Sequence, residues 1–160
     1  MKHTSVRSTD EIEKIINTYG NMLFRLCLIT LGNAGDAVQE TFIRYLQKAP
    51  IFENAEHEKA WLITVATNKC KDMLRFRSRH RFVGLEEVNE YTQDVTDHGI
   101  IEALLTVPDK FRMALVLYYV EGYSVEEISK MIGKTSSAVK MRLQKGRRLL
   151  REAYEKGACK

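Results

Sequence analysis

Apolar residues recur every three or four positions along most of this chain, the period of helices rather than of strands. Ile12, Ile15, Ile16, Tyr19, Met22, Leu23, Leu26 and Cys27 share one face, which predicts a helix from Asp10 to Leu31 ended by Gly32. A shorter helix from Asp36 to Lys48 is expected to bury Val38, Phe42, Ile43 and Leu46, and Pro50 then leads into a polar loop. The third predicted helix runs from Glu58 to about Arg79, on the order of 30 Å. Its core side would carry Leu62, Val65, Ala66, Met73 and Leu74.

The periodicity fails over residues 81–98, where Gly84, Asn89, Thr92 and Thr96 are mixed with acids, so a flexible acidic linker is expected there. Beyond it the pattern resumes with a helix from Gly99 to about Thr106 and a second opened by Pro108-Asp109 and reaching Val120. Ser124 with Glu127 three residues later is a capping box for another helix, stopped by Gly133. The last helix starts after the N-cap Thr135 and extends to about Tyr154. The expectation is an all-α chain of two small helical domains, residues 10–80 and 99–156.

A length of 160 residues allows one ordinary domain or two small ones and excludes a large enzyme barrel. With 44% hydrophobic residues, 29% charged residues and a mean hydropathy of −0.30, the composition is globular. The longest apolar run, Met113 to Val120, falls far short of the ~20 residues of a membrane-spanning helix, and no apolar signal core follows Met1-Lys2-His3-Thr4. A cytoplasmic protein without membrane insertion is expected. Cys27, Cys70 and Cys159 form no C-x-x-C pair, and His3, His57, His80 and His98 are scattered. Neither a disulfide framework nor a metal site is indicated, no cofactor is expected, and an enzyme is the weakest reading.

Charge points toward a polyanion. Lys69 to Arg81 holds six basic residues and one acid, Phe82 to Glu102 holds six acids and no Lys or Arg, and Lys134 to Lys160 holds nine basic residues and two acids. Two basic blocks across an acidic spacer suggest two contacts with one polyanion, although solvated helix faces would give the same counts.

Tyr123 to Leu150 has the pattern of a helix-turn-helix whose second, basic helix suits the major groove. At 100° per residue, Ser137, Met141, Gln144 and Arg148 oppose the seam Val139, Leu143, Gly146 and Leu150, with Lys140 and Lys145 flanking them. Gln144 suits adenine, Lys140 and Lys145 suit guanine or phosphate, and Met141 suits a thymine methyl. Ser136 and Ser137 fit a phosphate at the helix N-terminus.

On the third predicted helix Thr64, Asn68, Asp72, Arg75 and Arg79 form a stripe bordered by Trp61, a mixture that fits melted nucleic acid. A core role for Trp61 and a bracing role for Asp72 are the alternatives. On the second helix, Asp36, Gln39, Glu40 and Arg44 make a polar face.

Three segments together carry a resemblance: Asp36-Ala37-Val38-Gln39-Glu40-Thr41-Phe42; Ala60-Trp61-Leu62 with Asn68, Asp72 and Arg75; and Val107-Pro108-Asp109 through Tyr123-Ser124-Val125-Glu126-Glu127-Ile128 to Ala138-Val139-Lys140. Over about residues 10–155 the chain resembles bacterial RNA polymerase sigma factors of the extracytoplasmic-function group. The resemblance implies two helical domains, regions 2 and 4, promoter-specific initiation by core RNA polymerase, and no chemistry apart from the polymerase's own. It implies that Asp36, Gln39, Glu40 and Phe42 belong to the polymerase-docking surface. Asn68 and the loop Phe52, Glu53, Asn54, Ala55, Glu56 and His57 would capture a flipped base of the minus-ten element, with Trp61, Lys71, Arg75, Arg77 and Arg79 on nearby DNA. Ser136, Ser137, Lys140, Met141, Gln144, Lys145 and Arg148 would meet the minus-thirty-five element, and an anti-sigma factor is an implied partner. Two departures are Met141, where the family commonly has serine, and Ser129, where it commonly has alanine. A stand-alone dimeric regulator lacks an evident dimer seam here, and a pure protein-interaction module would touch no DNA.

Overall fold

The computed structural model describes residues 7–31, 34–76 and 98–158, all of it helix and connecting turns with no strand among the described residues. Gly32, Arg77, Arg79, Cys159 and residues 81–97 of the expected linker lie outside the described residues. Helix α1 spans Thr9–Leu31. It opens with a reciprocal cap, in which the Ser8 N–H donates to the Glu11 carboxylate at 2.8 Å and the Glu11 N–H to the Ser8 hydroxyl at 3.3 Å. Tyr19, Leu23, Leu26 and Cys27 line its buried face, and its last turn, Leu28 to Leu31, is buried all round.

Helix α2, Gly35–Lys48, turns a different face inward from the one its bulky residues predict. Ala37, Thr41 and Tyr45 are the buried stripe, while Ile43 is 38% and Leu46 is 45% exposed. Ala37 and Thr41 are short enough to bring the helix close to the core, and the Thr41 hydroxyl is satisfied by donating to the Ala37 carbonyl at 2.7 Å. Helix α3, Ala55–Phe76, begins three residues before the expected start, because the Asn54 side-chain oxygen accepts the His57 N–H at 2.8 Å and so caps the first turn. Leu62, Ile63, Ala66, Thr67 and Cys70 form its buried seam, with Cys27 of α1 against Cys70.

In the second half, α4 is His98–Thr106 and α5 is Asp109–Leu115, which continues through a π-helical turn, Val116–Val120. Helix α6, Val125–Ile132, carries the expected Ser124–Glu127 capping box, and α7 is Ser136–Ala158. α4, α5 and α6 gather around α7. Gly146 is what lets α5 come so near, since a Cβ there would meet the Leu115 side chain at 3.1 Å.

The halves also touch, α1 against α5 and α3 against α6. Arg112 of α5 lies at that contact with no exposed surface. Its guanidinium binds the Asp109 carboxylate and donates to the carbonyls of Leu105 at 3.0 Å and Thr30 at 3.1 Å. Burial lowers its pKa and Asp109 opposes that shift.

Tyr45 offers a pH test of the first half. Burial, then the hydrogen bond to Glu58 at 2.9 Å, pushes its phenol from 10 up to about 12. The fold favours the neutral phenol, so this contribution is complete below pH 10 and is lost as pH rises from 10 to 12. In denaturant titrations followed by circular dichroism, stability should fall across that window, and Tyr45→Phe should flatten the fall.

Candidate nucleic-acid interface

The most exposed chemistry lies on α7. Val139, Leu143 and Gly146 are buried against α5 and α6, which turns Ser137, Lys140, Met141, Gln144, Lys145 and Arg148 to solvent as the helical phase requires. Ser136 is half-buried in the first turn. Met141 is 70% exposed, a large apolar side chain with nothing of its own chain to cover it.

The turn that aims this helix is tightly specified. Gly133 takes φ 66°, the left-handed conformation that ends α6, and the Lys134 N–H reaches back to the Ser129 carbonyl at 3.1 Å. The Ser129 hydroxyl donates to the Lys134 carbonyl, so the residue that departs from the resembled pattern closes the same turn. Thr135 caps α7 by accepting the Ala138 N–H at 3.1 Å.

Beside the stripe lies a concavity of about 770 Å³ lined by Lys110, Phe111, Arg142, Arg147 and Arg151 together with the α7 face. Phe111 supports both ammonium groups there, with Lys145 Nζ 5.2 Å and Lys110 Nζ 5.0 Å from its ring. Arg147 donates to the Tyr119 hydroxyl at 3.0 Å. The helical phase gave the stripe but missed these supports, although Arg142, Arg147 and Arg151 belong to the same basic block.

A second groove, of about 890 Å³, runs between α2 and α3. Asn68 and Arg75 line it from α3, and Arg44, Gln47 and Lys48 line it from α2. Asn68 and Arg75 are exposed, with Asp72 3.9 Å from the Arg75 guanidinium. The outer face of α2 presents Asp36, Gln39 and Glu40, and Lys69 Nζ stands 3.6 Å from Glu40. Phe42 is half-buried and packs toward the core.

The structure adds detail to three sequence expectations at this site. Trp61 is half-buried, lines the groove with Asn68 and Arg75, and packs edge-on against Tyr45 at 6.0 Å and Phe52 at 5.8 Å. Ala55, Glu56 and His57 stand in the first turn of α3, which shortens the expected loop to Phe52, Glu53 and Asn54. Lys71 donates to the Ile132 carbonyl at the C-terminal end of α6, and the Thr67 hydroxyl lies 3.4 Å from the Met131 carbonyl. Burial, then the charges of Lys134, Arg142 and Arg75, lowers the Lys71 pKa. Arg25 of α1 completes the contact with Glu121 at 2.9 Å. None of these cross-chain contacts has a periodic signature.

Among the described residues no group of three or more His, Cys, Asp or Glu side chains could hold a metal ion, and no helix is long and apolar enough to cross a membrane. The geometry defines a helical protein with a basic helix-turn-helix at one end and a polar groove on a separate three-helix unit. Residues 15–80 match the family described as Sigma-70 region 2, and residues 98–150 match Sigma-70, region 4. The chain is 28% identical to the ECF RNA polymerase sigma factor SigW of Bacillus subtilis, over 95% of this chain and 93% of that one. It is 30% identical to the RNA polymerase sigma factor CarQ of Myxococcus xanthus, over 74% and 73%. The sigma factor RpoE from Bartonella quintana, solved with the anti-sigma factor NepR, shares the fold at a TM-score of 0.68 and 19% identity, over 92% and 98% of the two chains. This chain belongs to the extracytoplasmic-function sigma factors of the sigma-70 family, and its role is in transcription initiation.

The Arg25–Glu121 pair tests the contact between the halves, because the Glu121 side chain is only 3% exposed. Arg25→Glu should weaken the contact by about 2 kcal/mol, the order expected for leaving a buried charged partner unmatched. Small-angle scattering should show a larger radius of gyration for that variant, and Arg25→Glu with Glu121→Arg should restore the wild-type value.

Proposed function

We propose that this sigma factor contacts a promoter at two places while docked on core RNA polymerase in the cytoplasm. The observation that carries this reading is the solvent-facing stripe Lys140, Met141, Gln144, Lys145 and Arg148 on a helix held by a capped partner helix and a tight turn. In the major groove Gln144 pairs with adenine, Lys140 and Lys145 contact guanine or phosphate, and Met141 packs on a thymine methyl of the minus-thirty-five element. Ser136 and Ser137 meet a phosphate at the start of α7, and Arg148 contacts the backbone farther along.

Asn68 and the short loop Phe52–Asn54 hold an unstacked base of the minus-ten element, with Arg75 on the adjoining phosphates. Arg77 and Arg79 continue that basic run beyond the described residues. Asp36, Gln39 and Glu40 dock on the polymerase, and Phe42 supports them from the core side of α2. Domain limits of 10–80 and 99–156 agree with this division of labour. The polymerase supplies all the chemistry. An anti-sigma protein is the natural antagonist, as NepR is the partner in the solved RpoE complex.

The two halves must separate for this. Elements named minus-ten and minus-thirty-five are about 25 base pairs apart, on the order of 85 Å along the duplex. A compact chain of this length is only about 40 Å across. Lys71 leaves the Ile132 carbonyl in the same step and becomes available to DNA.

Run-off transcription with core polymerase on a promoter library tests the assignment. Start sites should appear only when the protein is added, and Gln144→Ala should weaken initiation roughly 5- to 100-fold, the range of one bidentate base contact. Asn68→Ala should slow promoter opening by a similar factor. A protein that leaves the start sites of core polymerase unchanged, yet shifts duplex DNA alone as a dimer, is a stand-alone regulator instead.

A further inference from the structure

Arg7 stands ahead of α1, outside every surface described above, yet it reaches more than forty residues along the chain. Nη2 donates to the Pro50 carbonyl at 2.8 Å and Nη1 to the Ala49 carbonyl at 3.3 Å. The same guanidinium lies over the Tyr45 ring at 4.4 Å and 5.6 Å from the Phe52 ring centroid. We propose that Arg7 is the positioning residue of the base-capturing loop, clamping the end of α2 and Phe52 so that Glu53 and Asn54 are presented to the melted strand. This rests on the reading of that loop as the minus-ten contact.

The local chemistry explains why a guanidinium serves here. α2 ends at Ala49, whose ψ of 131° is extended, so carbonyls at this point have no helical partner and carry the negative end of the helix dipole. A planar cation with two parallel donors satisfies adjacent carbonyls and still offers a flat face to aromatic rings. Lysine has the charge but neither the fork nor the plane.

The clamp propagates into the loop through rings. Phe52 stacks on Tyr45 at 6.1 Å and meets Trp61 at 5.8 Å and His57 at 5.3 Å. His57 Nδ1 accepts the Glu53 N–H at 3.3 Å, and Asn54 holds the His57 N–H. Tyr45 is fixed from the other side by Glu58, and the Tyr19 hydroxyl donates to the Ala55 carbonyl at 3.3 Å. Arg7 therefore sits at the root of a continuous set of contacts that ends on the loop backbone. Both of its terminal nitrogens are committed to protein carbonyls, so it acts through the loop and not on DNA directly.

The test uses holoenzyme reconstituted with core polymerase and measures three affinities: for a fluorescent single-stranded minus-ten oligonucleotide, for a minus-thirty-five duplex, and for core itself. Arg7→Ala should weaken single-strand binding roughly 5- to 20-fold while leaving the other two affinities unchanged, and Arg7→Lys should recover only part of the loss. A general structural defect would move all three affinities together. Wild-type single-strand binding by Arg7→Ala, alongside a loss in Asn68→Ala, overturns the role of Arg7 and leaves the base-capture reading standing. Wild-type binding by Arg7→Ala and Asn68→Ala alike removes that reading and the proposal with it. Should Arg7→Ala lose helicity, Arg7→Lys decides, because reduced single-strand binding at unchanged core affinity supports the clamp and wild-type binding refutes it.

Discussion

A single buried cation organises the meeting of the two halves. Arg112 is wholly enclosed, and its guanidinium joins Asp109, the end of α4 through Leu105, and the last turn of α1 through Thr30. The terminal carbonyls of α1 have no intrahelical partners, so they would be costly to bury without a donor. Arg112 supplies that donor and a positive charge at the negative end of the α1 dipole. The constraint runs in both directions. α1 can bury its final turn on all sides because α5 covers it, and α5 can bury an arginine because Asp109 and the Leu105 and Thr30 carbonyls receive it.

From α5 the constraint passes to α7. Leu115 packs into the space left by Gly146, and Phe111 supports Lys145, so the position of α7 follows from that of α5. The capping box of α6, the left-handed Gly133 and the Ser129–Lys134 closure then fix the angle between the two helices of the motif. Exposed side chains on a rigid helix can discriminate base edges, because little ordering remains to be done on binding. The groove between α2 and α3 is built differently. Trp61, Val65 and Ile43 line it among Arg44, Lys48, Asn68, Lys71 and Arg75, and Trp61 links it to the Tyr45 and Phe52 rings behind.

Much of this was legible in the sequence because most of the fold is repetition and punctuation. The seven helices of the described residues follow from the apolar period with Pro108, Ser124, Gly133 and Thr135 as stops and starts, and the outward stripe of α7 follows from phase alone. Errors arose where a small or polar side chain did the work of a large one. Ala37 and Thr41 set the inward face of α2, so Ile43 and Leu46, which weigh most in a hydrophobic count, remain outside. Asn54 looked like loop and acts as a cap. Arg7, Arg25, Lys71 and Arg112 were unreadable for a shared reason: each bonds across more than forty residues or between turns of different helices, and no local period records such a partner.

The kind of contact between the halves bears on how readily they part. Beside the apolar packing of α1 under α5, an ion pair crosses it, with a lysine on the Ile132 carbonyl, an arginine on the Thr30 carbonyl and a hydroxyl near the Met131 carbonyl. Each such bond is worth only about 1–3 kcal/mol net, since water replaces it when the surfaces separate. The charged groups regain hydration as they leave, which offsets the attraction that is lost. Burial, and after it the like charges of Lys134, Arg142 and Arg75, lowers the Lys71 pKa, so its ammonium is less favoured there than in open water. The apolar part of the contact, where the last turn of α1 lies under α5, has no such compensation in water. The polar share of the contact therefore lets the halves part at less cost than the same area of purely apolar packing would, because water can take the place of each bond that closure made.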